Sequence, residues 1–177
     1  VVEEQATPNG DFPTVIYPNP EEEEALQLAI KNAEATGADL VMATDPDSDR
    51  VGVAIPNNKG KFELLNGNQV LSLLSYYVTS RLKANNKLPA HPFMVKTIVT
   101  TPLVNEIADQ MGIMCYETLT GFKHIGALIT GLEGKENFIV GGEESYGYLI
   151  GDLVRDKDAV VSCAFIAEMA AFYKSEG

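Results

Sequence analysis

Asp39-Leu40-Val41-Met42-Ala43-Thr44-Asp45-Pro46-Asp47-Ser48-Asp49-Arg50-Val51-Gly52-Val53-Ala54-Ile55 is the stretch on which the reading of this chain turns. Leu40 to Thr44 is an apolar run of strand length, and Val51 to Ile55 is a second. Between them, three aspartates alternate on a tight turn. Such side chains can converge on one hard cation, and magnesium takes oxygen ligands while leaving room for substrate phosphate. An EF-hand loop starting at Asp45 needs Gly at its sixth position and Glu at its twelfth. Arg50 and Pro56 stand there, so that alternative fails. A phosphatase of the aspartyl-nucleophile type, with DxD followed by Thr or Val, does not fit either. Arg50 either offers its fork to a phosphate or sugar oxygen, or neutralises the aspartates.

Working outward, Thr14-Val15-Ile16-Tyr17 reads as a short strand before the turn Pro18-Asn19-Pro20. Glu21 to Glu24 suit the positive end of a helix that ends at Gly37. Downstream, the turn 56–61 leads to a strand over Phe62–Leu65, and a domain boundary is placed near it. Asn66 or Asn68 caps the next helix. Phe93–Val99 is a strand, and Pro102 opens a helix running to Gly112. Ile113–Tyr116 is a strand, a helix covers Ile125–Leu132, and Phe138–Val140 is a strand. The last helix spans Asp158–Tyr173. Strands alternating with helices predict an α/β fold, a three-layer α/β/α sandwich with a mixed, largely parallel sheet. Ligands of such sheets bind beyond the carboxyl ends of the strands, where the loops after Thr44, Tyr116 and Val140 lie.

Three further features carry chemistry. Gly142-Glu143-Glu144-Ser145-Tyr146-Gly147 can hydrogen-bond vicinal hydroxyls, with glycines that let the backbone come close, or it is an ordinary polar loop. Thr120-Gly121-Phe122-Lys123-His124 brings a lysine to a helix start, a setting that suits an anion, although Lys123 equally suits a surface. Lys96 interrupts an apolar strand. A buried ammonium is costly unless paired, so Lys96 points at an acidic partner or a site, or snorkels at an edge.

With 13 basic and 25 acidic side chains the net charge is -12, which disfavours nucleic acid and acidic membranes as partners. No apolar run is long enough to span a bilayer. Cys115 and Cys163 form no CxxC pair and read as small buried hydrophobes in a reducing, cytoplasmic setting. The start at Val1 lacks both a signal-peptide pattern and an initiator Met, which suggests processing or truncation.

Taken together, these loops resemble the α-D-phosphohexomutase family, the phosphoglucomutases and phosphomannomutases. Asp45-Pro46-Asp47-Ser48-Asp49-Arg50 is similar to its D-x-D-x-D-R metal loop, and Gly142-Glu143-Glu144-Ser145 to its sugar-binding G-E-x-S loop. Thr118 to Lys123 and Arg155-Asp156-Lys157-Asp158-Ala159-Val160 resemble stretches of the phosphoglucomutase and phosphopentomutase branch. The likeness extends to Phe12-Pro13-Thr14 and Pro18-Asn19-Pro20-Glu21. Neither the family's T-x-S-H-N phosphoserine loop nor its R-x-S-G-T-E phosphate loop occurs. The resemblance therefore implies an internal fragment, with residues 1–60 from the end of domain two and 61–177 as domain three, inactive by itself.

In the whole enzyme it implies interconversion of hexose 1-phosphate and hexose 6-phosphate through a phosphoserine and a bisphosphate intermediate. Mg2+ would sit on Asp45, Asp47 and Asp49. Arg50 and Lys123 would take acid–base and phosphate roles. Glu143, Ser145 and Gly142 would hold the sugar, with Thr120, Gly121 and Lys96 also at the substrate. The paired glutamates incline the reading to glucose phosphate; mannose and pentose phosphates remain alternatives. A non-catalytic metal or sugar-phosphate binding module is the alternative of another class.

Overall fold

The computed structural model describes residues 1–176. Helix α1 (Glu23–Thr36) begins within the glutamate run and ends at Gly37. Strands β1 (Val41–Thr44), β2 (Val51–Pro56) and β3 (Phe62–Leu65) then form an antiparallel sheet in that order. Thr44 faces Val51 across the first pair, so residues 45–50 are the loop of a hairpin. Leu26 and Ala33 of α1 bury against Val41, Ala54 and Phe62 of this sheet. β3 lies beyond the expected boundary turn, yet it pairs with β2.

The second unit opens with α2 (Gly67–Ala84). Its first turn is closed reciprocally: the Asn66 side chain accepts from the Gln69 amide, and the Gln69 side chain accepts from the Asn66 amide, both at 2.9 Å. Asn66 is thus the cap, while Asn68 accepts from the Thr101 amide. There follow β4 (Pro92–Thr97), α3 (Leu103–Met111), β5 (Met114–Thr118), α4 (Phe122–Leu132), β6 (Asn137–Gly142), β7 (Tyr148–Ile150) and α5 (Ala159–Glu176). The sheet runs β5-β4-β6-β7, parallel through β6 and antiparallel at β7.

β4 lies inside the sheet, and Phe93, Met94 and Val95 in succession reflect burial on both faces. Phe93 and Val95 pack against Phe122, Ile125 and Ile129 of α4. Met94 faces the other way, into a cluster with Leu71 and Leu74 of α2, Val104 of α3 and Ile166 of α5. The result is the three-layer α/β/α arrangement. Fully burying each such side chain contributes roughly 1.5–3 kcal/mol. Val51 and Val53 of β2 belong to the same cluster as Leu71, so the two sheets share one core.

Two expectations change: the strand expected over Phe93–Val99 ends at Thr97, with Ile98 and Val99 exposed, and the one expected over Thr14–Tyr17 is not formed. Thr14–Tyr17 forms turns and no strand, with Ile16 and Tyr17 mostly exposed. Among the described residues no strand neighbours it to take its hydrogen bonds, and prolines at 13 and 18 withhold two donors. β7 was not anticipated, because three residues after a polar loop carry too little pattern.

Gly67 sits where a Cβ would overlap the Glu144 carbonyl oxygen, so α2 can approach the 143–147 loop only without a side chain there. Gly67→Ala is expected to destabilise the fold by about 1–3 kcal/mol through this overlap, measured by urea denaturation. A midpoint equal to that of the parent would remove the close approach.

Candidate functional site

Asp45, Asp47 and Asp49 each present a carboxylate oxygen, and these lie within 4.8 Å of one another. The loop holds them by its own hydrogen bonds. Asp45 Oδ1 accepts from the amides of Asp49 and Arg50, both at 3.0 Å, and Oδ2 accepts from Arg50 Nε at 2.8 Å. Ser48 takes a left-handed conformation, φ 56°, and its amide donates to the Asp45 carbonyl. Burial of Asp45, 3 % exposed, works to raise its pKa. The hydrogen bonds from Arg50 and Asp49 outweigh that and hold the carboxyl below its ordinary value.

Asp49 moves the other way. Burial raises its pKa, and the neighbouring Asp45 adds to this against the Lys157 ammonium, which sits 2.8 Å from Asp49 Oδ2. Arg50 has Asp45 at 2.8 Å, Asp49 at 3.6 Å and Glu21 at 3.6 Å. Burial alone would lower its pKa, but these carboxylates raise it. Arg50 therefore neutralises the aspartates while staying part exposed.

An all-oxygen donor set suits magnesium, not a thiolate-seeking metal. Neighbouring oxygens around magnesium stand roughly 3 Å apart, given bonds of about 2.1 Å. The aspartate oxygens, within 4.8 Å of one another, stand close to that spacing. Asp47 is exposed, and an ionised carboxylate has about four acceptor sites, so Asp45 keeps capacity beyond its three bonds. The residues fit the ion.

The polar loop 142–147 lies directly beside this hairpin. Arg50 bridges to Gly147, and the Val51 amide donates to the Tyr146 carbonyl at 3.1 Å. Within the loop, the Glu143 amide donates to the Gly147 carbonyl. Glu143 Oε1 accepts from the Gly121 amide at 2.8 Å, which docks this carboxylate on the start of α4. Glu144 turns elsewhere: its Oε2 accepts from the hydroxyls of Thr97, 3.1 Å, and Thr100, 2.9 Å. Ser145 is half-buried, and among the described residues its hydroxyl has no protein partner. Gly142 pairs with Tyr148 and with Lys96 in the sheet.

α4 starts at Phe122, earlier than expected, so Lys123 lies in its first turn. Lys123 and Thr120 are both exposed beside Gly121. The positive end of α4 already has an anion, the Glu143 carboxylate. Lys96, expected at the substrate, is 2 % exposed. Its ammonium lies 2.8 Å from Glu117 and donates to the carbonyls of Thr100, 3.2 Å, and Thr97, 3.4 Å. These contacts use its three donors, so it faces protein partners. The aspartates, Arg50, Gly121, Glu143 and Lys157 are thus gathered by direct contacts; Lys96 stands behind them.

Two participants escaped the sequence. Lys157, between Asp156 and Asp158, looks like ordinary solvated charge, and nothing local says it reaches Asp49. The role of Glu144 as an anchor to Thr97 and Thr100 is equally nonlocal.

The family model "Phosphoglucomutase/phosphomannomutase, alpha/beta/alpha domain II" matches residues 1–60, and that of domain III matches residues 66–176. The chain is 38% identical over 178 residues to a Haemophilus influenzae protein named "Probable phosphomannomutase", covering 100% of this chain and 34% of that protein. It is 40% identical over 177 residues to a phosphoglucomutase of Staphylococcus epidermidis, covering 100% and 32%. The crystal structure of a phosphoglucomutase/phosphomannomutase family protein from Burkholderia thailandensis superposes with a TM-score of 0.70 at 22% identity, over 91% of this chain and 32% of that one. That last likeness is one of fold. The chain thus spans about a third of the length of the curated relatives it matches. Among the described residues no helix is long and apolar enough to cross a membrane.

The Lys96–Glu117 pair yields a pH test. Hydrogen bonding and attraction from Lys96 lower the Glu117 pKa below 4.5. A carboxylate with a depressed folded pKa stabilises above its unfolded value and loses that contribution as pH falls through the folded one. Glu117→Gln should therefore unfold at lower urea than the parent at pH 7, with the gap closing in acid below 4.5. A gap independent of pH would contradict the pairing.

Proposed function

The chain belongs to the phosphoglucomutase/phosphomannomutase family, and on that premise we propose that it forms the metal-loop and sugar-loop portion of a sugar-phosphate mutase. Residues 1–60 close its second domain, with β3 completing that sheet, and the unit from α2 onward makes its third. The longer protein interconverts hexose 1-phosphate and hexose 6-phosphate, with glucose as the sugar, in the cytoplasm. A phosphoserine in its remaining domains donates to the sugar phosphate, and the bisphosphate then returns its other phosphoryl group. The observation that carries this reading is the junction of two loops distant in sequence: the bridge from Arg50 to Gly147 sets three carboxylates beside the segment Gly142 to Gly147.

Asp45, Asp47 and Asp49 would hold Mg2+, which when bound supplies positive charge to offset charge on the transferring phosphoryl group. The chain's own residues do the rest. Glu143 and Ser145 accept and donate hydrogen bonds to sugar hydroxyls common to both binding orientations. Glu143 is preset for this by the Gly121 amide, which leaves its second oxygen for the ligand. Lys123 and Thr120, exposed beside the start of α4, meet the phosphate through their side chains, the helix end itself being taken by Glu143. Arg50 keeps guanidinium N–H groups beyond its Asp45 contact for an oxyanion or a proton-bearing hydroxyl. Lys96 supports the site from behind by fixing Thr100 and Glu117. Together these cations answer the repulsion that a chain of net charge -12 exerts on a phosphate.

The test is a mutase assay of the full-length protein on glucose, mannose and ribose phosphates. Glucose phosphate is expected to give the highest kcat/KM, and preference for another sugar would reassign the substrate. Asp47→Asn should cut turnover on the order of a hundredfold or more while leaving the thermal midpoint near the parent's. Near-parent activity in that variant would remove Asp47 from the site.

A further inference from the structure

Lys157 has no role in the reading above, yet the structure places it at a crossing of the loops. It leaves the backbone in the link between β7 and α5. Its aliphatic stem passes over Gly147, where a Cβ would overlap the lysine's Cδ and Cγ. Its ammonium ends 2.8 Å from Asp49 Oδ2 and 3.3 Å from Asp156 Oδ1. It also lies 5.6 Å from the ring centroid of Phe122, the first residue of α4. The backbone beside it repeats the pattern. The Asp158 amide donates to the Tyr148 carbonyl at 2.9 Å, and the Ala159 amide donates to the Ser48 carbonyl at 3.0 Å. One short segment thus touches the aspartate hairpin, the exit of the polar loop and the start of α4.

We propose that Lys157 is a positioning residue that acts through Asp49, locking the aspartate loop to the 143–147 loop and tempering the loop's affinity for a free divalent cation. This rests on the magnesium and sugar-phosphate reading of those two loops. Arg50 and Lys157 cancel two of the three aspartate charges. An ammonium held a few ångströms from a divalent ion opposes it strongly in a part-buried site. The loop keeps its shape without Lys157, because the Asp45 carboxylate is held by two amides and Arg50. Removing the lysine therefore frees an oxygen of Asp49 and deletes a competing charge, while the two loops lose their mutual register.

A merely structural role predicts the opposite for metal binding, and this separates the two. In the full-length chain, Lys157→Ala should bind Mg2+ alone about tenfold tighter by titration calorimetry, a shift within reach of the lost repulsion. Its kcat/KM for glucose 1-phosphate should fall about tenfold, as for loss of a coupling between sites. Lys157→Arg should restore most of both. Gly147→Ala, which pushes the stem aside, should lower the thermal midpoint in EDTA and kcat/KM in the parent, and add no further loss in the Lys157→Ala background. Should Lys157→Ala not fold, Lys157→Gln keeps the stem, drops the charge and carries the same magnesium and rate readings.

Weakened or unchanged Mg2+ binding on removing the charge overturns the proposal, as does an equal Gly147→Ala loss in both backgrounds. Asp47→Asn separates its fate from that of the underlying reading. Parent-like magnesium affinity in Asp47→Asn sinks the metal assignment itself; loss there, with parent-like behaviour of Lys157→Ala, sinks only the role of Lys157.

Discussion

A carboxylate shielded from water must be answered by hydrogen bonds, and the way Asp45 is answered governs the rest of this molecule. Two amides of its own loop and one guanidinium N–H meet its oxygens. To supply those amides the hairpin tip must curl back on itself, with Ser48 in the left-handed region. That curl brings Asp47 and Asp49 round to the same side as Asp45. It also points the Ser48 carbonyl outward to the Ala159 amide and delivers Arg50 to Gly147. One buried charge thereby fixes the loop's shape and the place where the second unit attaches.

The second unit answers with a related device. Glu143 also turns its carboxylate inward, onto the Gly121 amide at the head of α4, and Glu144 gives its own to two threonine hydroxyls after β4. Acidic side chains thus tie three strand-end loops together. Cations are interleaved among them: Arg50 and Lys157 at the aspartates, Lys96 behind Thr100, Lys123 exposed at the helix start. This alternation of sign offsets, along these loops, part of the chain's net negative charge.

What could be read from the sequence was what is local. The apolar run to Thr44, the alternating aspartates, the second run from Val51 and the caps around Asn66 and Gly112 all signal within a few residues. Those features gave the layered fold and the acidic loop. Pairings across long separations left no such trace. Lys96 finds Glu117 and Lys157 finds Asp49 only after the sheet has formed. β7 owes its existence to its neighbour β6, not to its own three residues. Thr14–Tyr17 shows the converse, an apolar run that looks like a strand but, among the described residues, pairs with none.

The core that β2 shares with α2 and α5 has a mechanical meaning. Val51 and Val53 are buried with Leu71, Tyr148 and Ile166, and the Val51 amide is committed to Tyr146. Shearing one sheet past the other would break that ladder and open a void among close-packed side chains. The two units are consequently braced against each other, and sliding at this seam would cost both the backbone bond and the packing.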